Sequence, residues 1–407
     1  GESASDVIGL QKIDDMIHDP VNDQLSRIWQ YMYEGVNRAN YMIENKDKID
    51  FPRKDELYAE VHFLRAFFYF ELVKIYGDVP LFTAGRLTAG DSGTLSRVSK
   101  SEVYSVIESD LLSAVSGLQA KKSSDGRATS FTAHALLGKV YLYQDKFSDA
   151  ANILEPLVGL YTLPSDPSSV FLVEGENGPE SVFEIQHSKE SNGWNWGWMP
   201  QGTEGNFGVI HHGIRGYSGP VYASGWSFNV PTKDLVDAFD SGDKRKNTSV
   251  LDIAAWADAN NAQYSEGYEH TGYFNNKYIP RSGYSKNTAE LNYENNYRYI
   301  RYADVLLMAA EANNRGGISD SKAQTYLNEV RNRAGVSSIS ATGSTLTQAI
   351  WDERRLEFAG EGHRFFDLVR TGQAANEISG FISGQHEVFP IPQTEIDISG
   401  LTQNPGY

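Results

Sequence analysis

Four of the chain's seven tryptophans, Trp194, Trp196, Trp198 and Trp226, fall within 33 residues. Tyr217 and Tyr222 lie between them, and Gly193, Gly197, Gly216, Gly219 and Gly225 are interleaved. Side chains alternate along an extended segment, so the rings of Trp194-x-Trp196-x-Trp198 would share one face there. Asn192, Asn195, Gln201 and Asn206 add planar amides. Flat rings beside amides suit a sugar, whose C–H face stacks on an aromatic while its hydroxyls bond to amide groups. The competing reading is that these rings simply pack a region poor in regular elements. Gly- and Asn-rich neighbours bury large rings badly, which favours a ligand for part of the set. Trp194, Trp196, Trp198, Trp226, Tyr217, Tyr222 and Asn195 are the candidate ligand residues. Asp78, Arg86 and Asp91 could line a second polar groove, against the plainer reading of a solvated loop.

Other chemistry is poorly supported. His211-His212 are adjacent, so their rings diverge in a strand or a helix and rarely share an ion. No H-E-x-x-H or calcium-loop pattern accompanies them, so no metal ligand is assigned. A structural calcium held by scattered Asp and backbone carbonyls stays open, because it needs no readable motif. Glu353 and Glu357 lie four apart among Arg354, Arg355 and Arg364, which points to a salt-bridge lattice rather than an acid–base pair. The acids of 174–184 precede the aromatic cluster and leave a glycosidase as a minor alternative. There is no G-x-S-x-G, no Walker loop, and Gly213-x-x-Gly216-x-x-Gly219 lacks dinucleotide spacing. No catalytic residue is assigned, and the chain reads as a binding protein rather than an enzyme.

Composition narrows the classes further. With 36 basic and 53 acidic residues the formal charge is −17, which repels phosphate backbones. The densest basic run, Lys244-Arg245-Lys246, is too short to offset that, so nucleic acid is not expected as a partner. Cysteine is absent, which removes disulfides, thiolate metal sites and Cys nucleophiles together. No apolar run reaches the roughly 18 residues of a membrane span. The chain opens Gly-Glu-Ser without an initiator Met and reads as a processed product, so any lipid-anchor cysteine would lie upstream.

The elements that must carry these residues are mostly helices. From 25 to 160 the periodicity is helical. Leu57, Val61, Leu64, Phe68, Leu72 and Ile75 draw one stripe, and Phe63, Phe67 and Phe70 a second, so this helix should be covered on two sides. Gly77-Asp78-Val79-Pro80 ends it. Ser101-Glu102 opens a helix running towards Leu118. Gly138, Tyr141, Phe147, Ala150 and Leu154 follow the small–large spacing of a tetratricopeptide helix pair. A second hairpin spans 302–334, with Ala309, Ala310 and Ala312 facing Ala323, Leu327 and Val330. Between 161 and 298 helical periodicity fades into ordered loops, with a strand at 181–186 and a short helix at 235–239. Helices return over 299–407 before a Pro-rich extended tail from Val388. The expected fold is mainly α: one body over 1–407, a tetratricopeptide-type helical-repeat frame carrying a loop-rich ligand-binding part.

Taken together, several segments resemble one family. Tyr41-Met42-Ile43, Ala59-Glu60-Val61-His62-Phe63-Leu64-Arg65-Ala66-Phe67-Phe68-Tyr69 and Tyr76-Gly77-Asp78-Val79-Pro80-Leu81 are similar to the amino-terminal half of SusD/RagB proteins. Ala135-Leu136-Leu137-Gly138-Lys139-Val140-Tyr141, Pro231-Thr232-x-Asp234-Leu235 and Arg301-Tyr302-Ala303-Asp304 follow in the same order. Glu353-Arg354-Arg355-Leu356-Glu357-Phe358, Gly362-His363-Arg364-Phe365-Phe366-Asp367 and the closing Asn404-Pro405-Gly406-Tyr407 complete the likeness, from about Trp29 to Tyr407. The resemblance implies a lipid-anchored protein facing outward on the outer membrane of a Bacteroidetes-type bacterium. It implies a role as lid on a SusC-like, TonB-dependent transporter, capturing glycans, or sometimes peptides, without catalysis and without a cofactor. Ligand residues vary within the family and are not transferable by motif. The expected ligand is an oligo- or polysaccharide bound at micromolar affinity or weaker, about −8 kcal/mol. A peptide-binding relative on the same frame is the main alternative. A glycoside hydrolase, needing two carboxylates roughly 5–10 Å apart, is the lesser one.

Overall fold

The computed structural model describes residues 1–88, 90–190, 206, 208–286 and 292–407, apart from the side chain of Ser92. The described residues hold sixteen α-helices and three small two-stranded sheets, so the fold is mainly α. They divide into two compact units. One joins residues 1–6, 124–126 and 155–364, and the other joins 7–123, 127–154 and 365–407. No described helix is long and apolar enough to cross a membrane.

The unit that contains the amino-terminal helices is built on Asp23–Glu44, Lys54–Tyr76, Lys100–Gly117, Ser130–Leu142 and Phe147–Leu154. Asn22 caps the first of these through Gln24 and Leu25 N–H. Ser99, rather than the later Ser101, caps the Lys100 helix, its hydroxyl accepting Glu102 N–H and donating to the Glu102 carboxylate at 3.0 Å. Lys54–Tyr76 is covered mainly along Phe63, Ala66, Tyr69, Phe70 and Tyr76, which are fully buried. The other stripe divides: Leu72 and Ile75 are buried, but Leu64 is 41% exposed beside Phe68 and Met42. Gly77 ends the helix at φ 71°, a conformation that a side chain would strain. The hairpin of Ser130–Leu142 and Phe147–Leu154 closes tightly. A Cβ at Gly138 would sit 2.4 Å from Leu154 Cδ2, which is why the helices need glycine there. The carboxy-terminal tail is not extended throughout, because Gln393–Ser399 is a helix started after Pro392.

The other unit holds a second hairpin, Tyr302–Arg315 with Asp320–Ala334, followed by Gly343–Glu357. Ala309, Ala310, Ala312, Ala323, Leu327 and Val330 are all inaccessible, as the small-residue pattern demands. Strand Ser181–Ile185 pairs antiparallel with Tyr297–Arg301, a strand hidden from periodicity because it runs straight into the Tyr302 helix. Val250–Asp252 pairs with Tyr273–Asn275. Thr232 caps Lys233–Ala238 through Leu235 N–H.

Beneath these loops lies a buried ionic lattice. Arg301 meets Glu180, Glu357 and Glu361; Arg245 meets Asp243, Glu353 and Glu357. Arg333 adds contacts to Glu180 and Glu357, Arg331 to Glu353, and Lys277 to Glu361 at 2.6 Å. Glu353 and Glu357 are therefore lattice members, as the arginine supply suggested. Their partners come from other elements, since Arg354 pairs with Asp304 and Arg355 with Asp234.

Candidate functional site

In the loop-bearing unit a cleft of about 310 Å³ opens between four asparagines, two tyrosines and a histidine. Asn206, Asn229, Asn295 and Asn296 line it with Tyr278 and Tyr297. Asn206 Nδ2 donates to the carbonyls of Tyr293 at 3.1 Å and Asn295 at 2.8 Å. That clamps the first described residue after 191–205 onto the 292–296 loop. Asn296 is held on all sides: its N–H donates to Glu176, its amide to Glu184 and Gln186, and its oxygen accepts from His187 N–H. Tyr297 OH donates to the Glu361 carbonyl at 2.6 Å. Asn295 Oδ1 and His212 Nδ1, by contrast, are buried without a hydrogen-bond partner among the described residues. Orphaned polar atoms beside a polar cleft are where a hydroxyl-rich ligand or a water is most useful.

Trp226 reaches this region on a loop whose geometry two glycines dictate. A Cβ at Gly225 would lie 2.3 Å from Gly213 Cα, and one at Gly213 would lie 2.6 Å from Gly225 Cα. The crossing lets the Trp226 backbone N–H donate to the Ile210 carbonyl at 2.9 Å and sets His211 between Trp226 and Phe228 in tilted contacts, with centroids at 5.0 and 5.2 Å. Trp226 is half-buried against Val209, Ile210 and Tyr293, beside Tyr284. Gly225→Val is expected to destabilise by about 1–3 kcal/mol through forced separation of the two backbones. A urea midpoint unchanged from the wild type would contradict the crossing.

Tyr217 and Tyr222 are not open faces. At 8% and 5% exposure they form the loop core with Ile214, Leu251, Ile253, Phe274 and Ile279. Tyr217 OH donates to the Pro220 carbonyl and accepts from Trp256 Nε1, and Tyr222 OH donates to Asn276. Packing, not stacking on a ligand, uses these two rings. Asp78 and Arg86 lie in the other unit. Asp78 accepts Lys100 N–H at 2.7 Å and so tethers a helix start, while Arg86 lies over the Tyr41 ring at 4.7 Å. Neither belongs to the cleft. Trp194, Asn195, Trp196 and Trp198 lie outside the described residues.

The acids near the cleft are structural in their partners. Glu184 accepts from Asn177 and Asn296, and Glu174 accepts from Tyr284 OH. Burial raises Glu176 to about 7, opposed by the Asn296 N–H and Arg298. Among the described residues no cluster of three His, Asp or Glu is placed to hold a metal ion. The amides of Asn292, Asn295 and Asn296 went unread in the sequence, although Asn292-Tyr293-Glu294-Asn295-Asn296-Tyr297 repeats the amide–aromatic signature.

Burial also holds His212 down at about 3, with the neighbouring His211 adding to the shift. An unfolded histidine titrates near 6.5. Between pH 6.5 and 3 the unfolded chain thus binds a proton that the native state refuses, and stability falls as pH drops through that window. His212→Phe removes this contribution. Its denaturation midpoint should fall less steeply between pH 6.5 and 4 than that of the wild type, and parallel profiles would refute the assignment.

The likenesses agree with this architecture. Residues 252–407 match the family model described as the SusD family, and residues 3–142 match one described as starch-binding, associating with outer membrane. The chain is 27% identical to SusD-like protein P2 of Formosa agariphila, over 95% of this chain and 81% of that one. Among solved structures, a laminarin-binding SusD-like protein is 38% identical with a TM-score of 0.91, covering 100% of this chain and 91% of the other. Surface glycan-binding protein A of Bacteroides thetaiotaomicron, in complex with laminarihexaose, is 29% identical with a TM-score of 0.86, covering 99% and 90%. Helical frame, loop-rich face and near-full-length likeness lead to one assignment: this chain belongs to the SusD family.

Proposed function

We propose that this protein captures a neutral glucan of the laminarin class at the cell surface and delivers it to a SusC-like, TonB-dependent transporter. The observation that carries the reading is the 38% identity, across the whole chain, to a protein described as laminarin-binding. The amide-lined cleft and the half-buried Trp226 support it, since both suit hydroxyls and C–H faces rather than charged groups. The tryptophan-rich 194–198 segment supplies the stacking rings in this reading. Capture involves no bond cleavage and no cofactor, and a lipid anchor holds the protein at the outer membrane. The family's description as outer-membrane-associated supports that location.

Affinity electrophoresis in gels containing laminarin, other neutral glucans or acidic polysaccharides tests the proposal. Retardation by laminarin without release of reducing ends is expected. No retardation by any glycan would overturn it in favour of a peptide ligand, and release of reducing ends would overturn it in favour of a hydrolase.

A further inference from the structure

A second cavity in the loop-bearing unit, of about 460 Å³, shares no lining residue with the amide cleft. Its wall is built from the 3-10 turn Pro167–Phe171, the helix Lys244–Ser249 and the segment after strand Tyr273–Asn275. Two cations face it in a chain whose net charge is −17. Arg281 lies over the Tyr222 ring at 5.2 Å, and its guanidinium has no hydrogen bond or ion pair to any described residue. The ring beneath it is fixed by Trp256 and by the Tyr222 OH bond to Asn276. Among the described residues Lys244 Nζ meets only the Ser165 carbonyl, at 3.5 Å. The single acid of the wall, Asp166, already accepts the N–H and hydroxyl of Ser168 at 2.7–2.9 Å. The Asn247 side chain makes no hydrogen bond to a described residue, and Asn276 holds the Asn247 carbonyl at 2.8 Å with its second amide hydrogen given to no described residue.

We propose that this cavity is a second saccharide site, taking a sugar ring that carries a carboxylate or sulfate substituent. Arg281 and Lys244 would meet the oxyanion, and Asn247 and Asn276 would meet the ring hydroxyls. Five donors without an acceptor among the described residues, on a guanidinium held against a ring, suit a planar or tetrahedral oxyanion better than a neutral hydroxyl. The volume suits one substituted ring rather than a bare ion.

The test is ligand-detected NMR titration of the full chain with glucuronate, glucose 6-sulfate, glucose and inorganic sulfate. At least one charged sugar should bind about tenfold or more tightly than glucose, and which one does so identifies the substituent. Arg281→Gln with Lys244→Gln should abolish that advantage while leaving retardation by neutral glucan unchanged, which separates this site from the cleft. Equal binding of glucose and both charged sugars would overturn the proposal. So would a double variant that keeps the advantage. Sulfate binding as tightly as the better sugar, an adventitious ion only, would overturn it as well.

Discussion

Arg301→Ala should lower the free energy of unfolding by about 3–5 kcal/mol, the cost of breaking a buried ion pair from one side. Arg301 is 2% exposed at the end of the Tyr297–Arg301 strand. Its Nε and one terminal nitrogen bind both Glu361 oxygens at 2.8 Å, and the other nitrogen reaches Glu180 and Glu357. The guanidinium also lies near the Phe171 and Phe358 rings, at 5.3 and 5.0 Å. Removing it leaves three buried carboxylates to share Arg245, Arg333 and Lys277.

The same pairs carry an acid dependence. Burial pushes Glu361 upward, but Arg301 and Lys277 outweigh it and hold the carboxyl below its usual range. A depressed carboxyl stabilises the fold above the unfolded value near 4.3, and this contribution is lost as pH falls through the lower folded value. In Arg301→Ala the depression is weakened, so less of this stability is left to lose as pH falls below about 4.3. Arg301→Lys restores charge but not the planar fork, so it should recover only part of the stability. Urea unfolding of the three proteins at pH 7 and at about pH 3.5 measures both effects. A loss under about 1 kcal/mol for Arg301→Ala would mean that the lattice contributes shape rather than energy.

The second large effect is on binding. Replacing Trp194, Trp196 and Trp198 together by alanine should weaken glucan affinity on the order of a hundredfold, from roughly 1 kcal/mol per stacked ring. Retardation in laminarin gels should then disappear at concentrations that shift the wild type. A single Trp226→Ala should cost less in affinity but more in stability, because that ring is packed with Val209, Ile210 and Tyr293. A triple variant that keeps full retardation and an unchanged melting temperature would remove the 194–198 segment from the site. The amide cleft around Asn295 would then stand as the principal contact.

The helical frame was legible because its signals are local. Gly138 opposite Leu154, the alanines of 309–312 and the Gly77 cap each act within one hairpin or one helix end. The split stripe of Lys54–Tyr76 was not, since periodicity marks an apolar position but not whether another element arrives to cover it. Leu64 is exposed for that reason and Phe63 is not.

The loop-rich unit shows the same division more sharply. Aromatic and amide density marked the stretch as a candidate ligand face, yet composition could not separate Tyr217 and Tyr222, which became core, from Trp226, which stays half open. Their fates depend on Leu251, Phe274 and Ile279, tens of residues away in the chain. Likewise Glu353 and Glu357 advertised a salt-bridge lattice, but their neighbours in sequence, Arg354 and Arg355, turned elsewhere. Arg245, Arg301 and Arg333 took their place. Local spacing determined the helices, their caps and their close-packed hairpins, because those interactions close within a few residues. Which rings face out, which charges meet, and which amides converge on a cleft were decided only by long-range packing, whose partners no local pattern encodes.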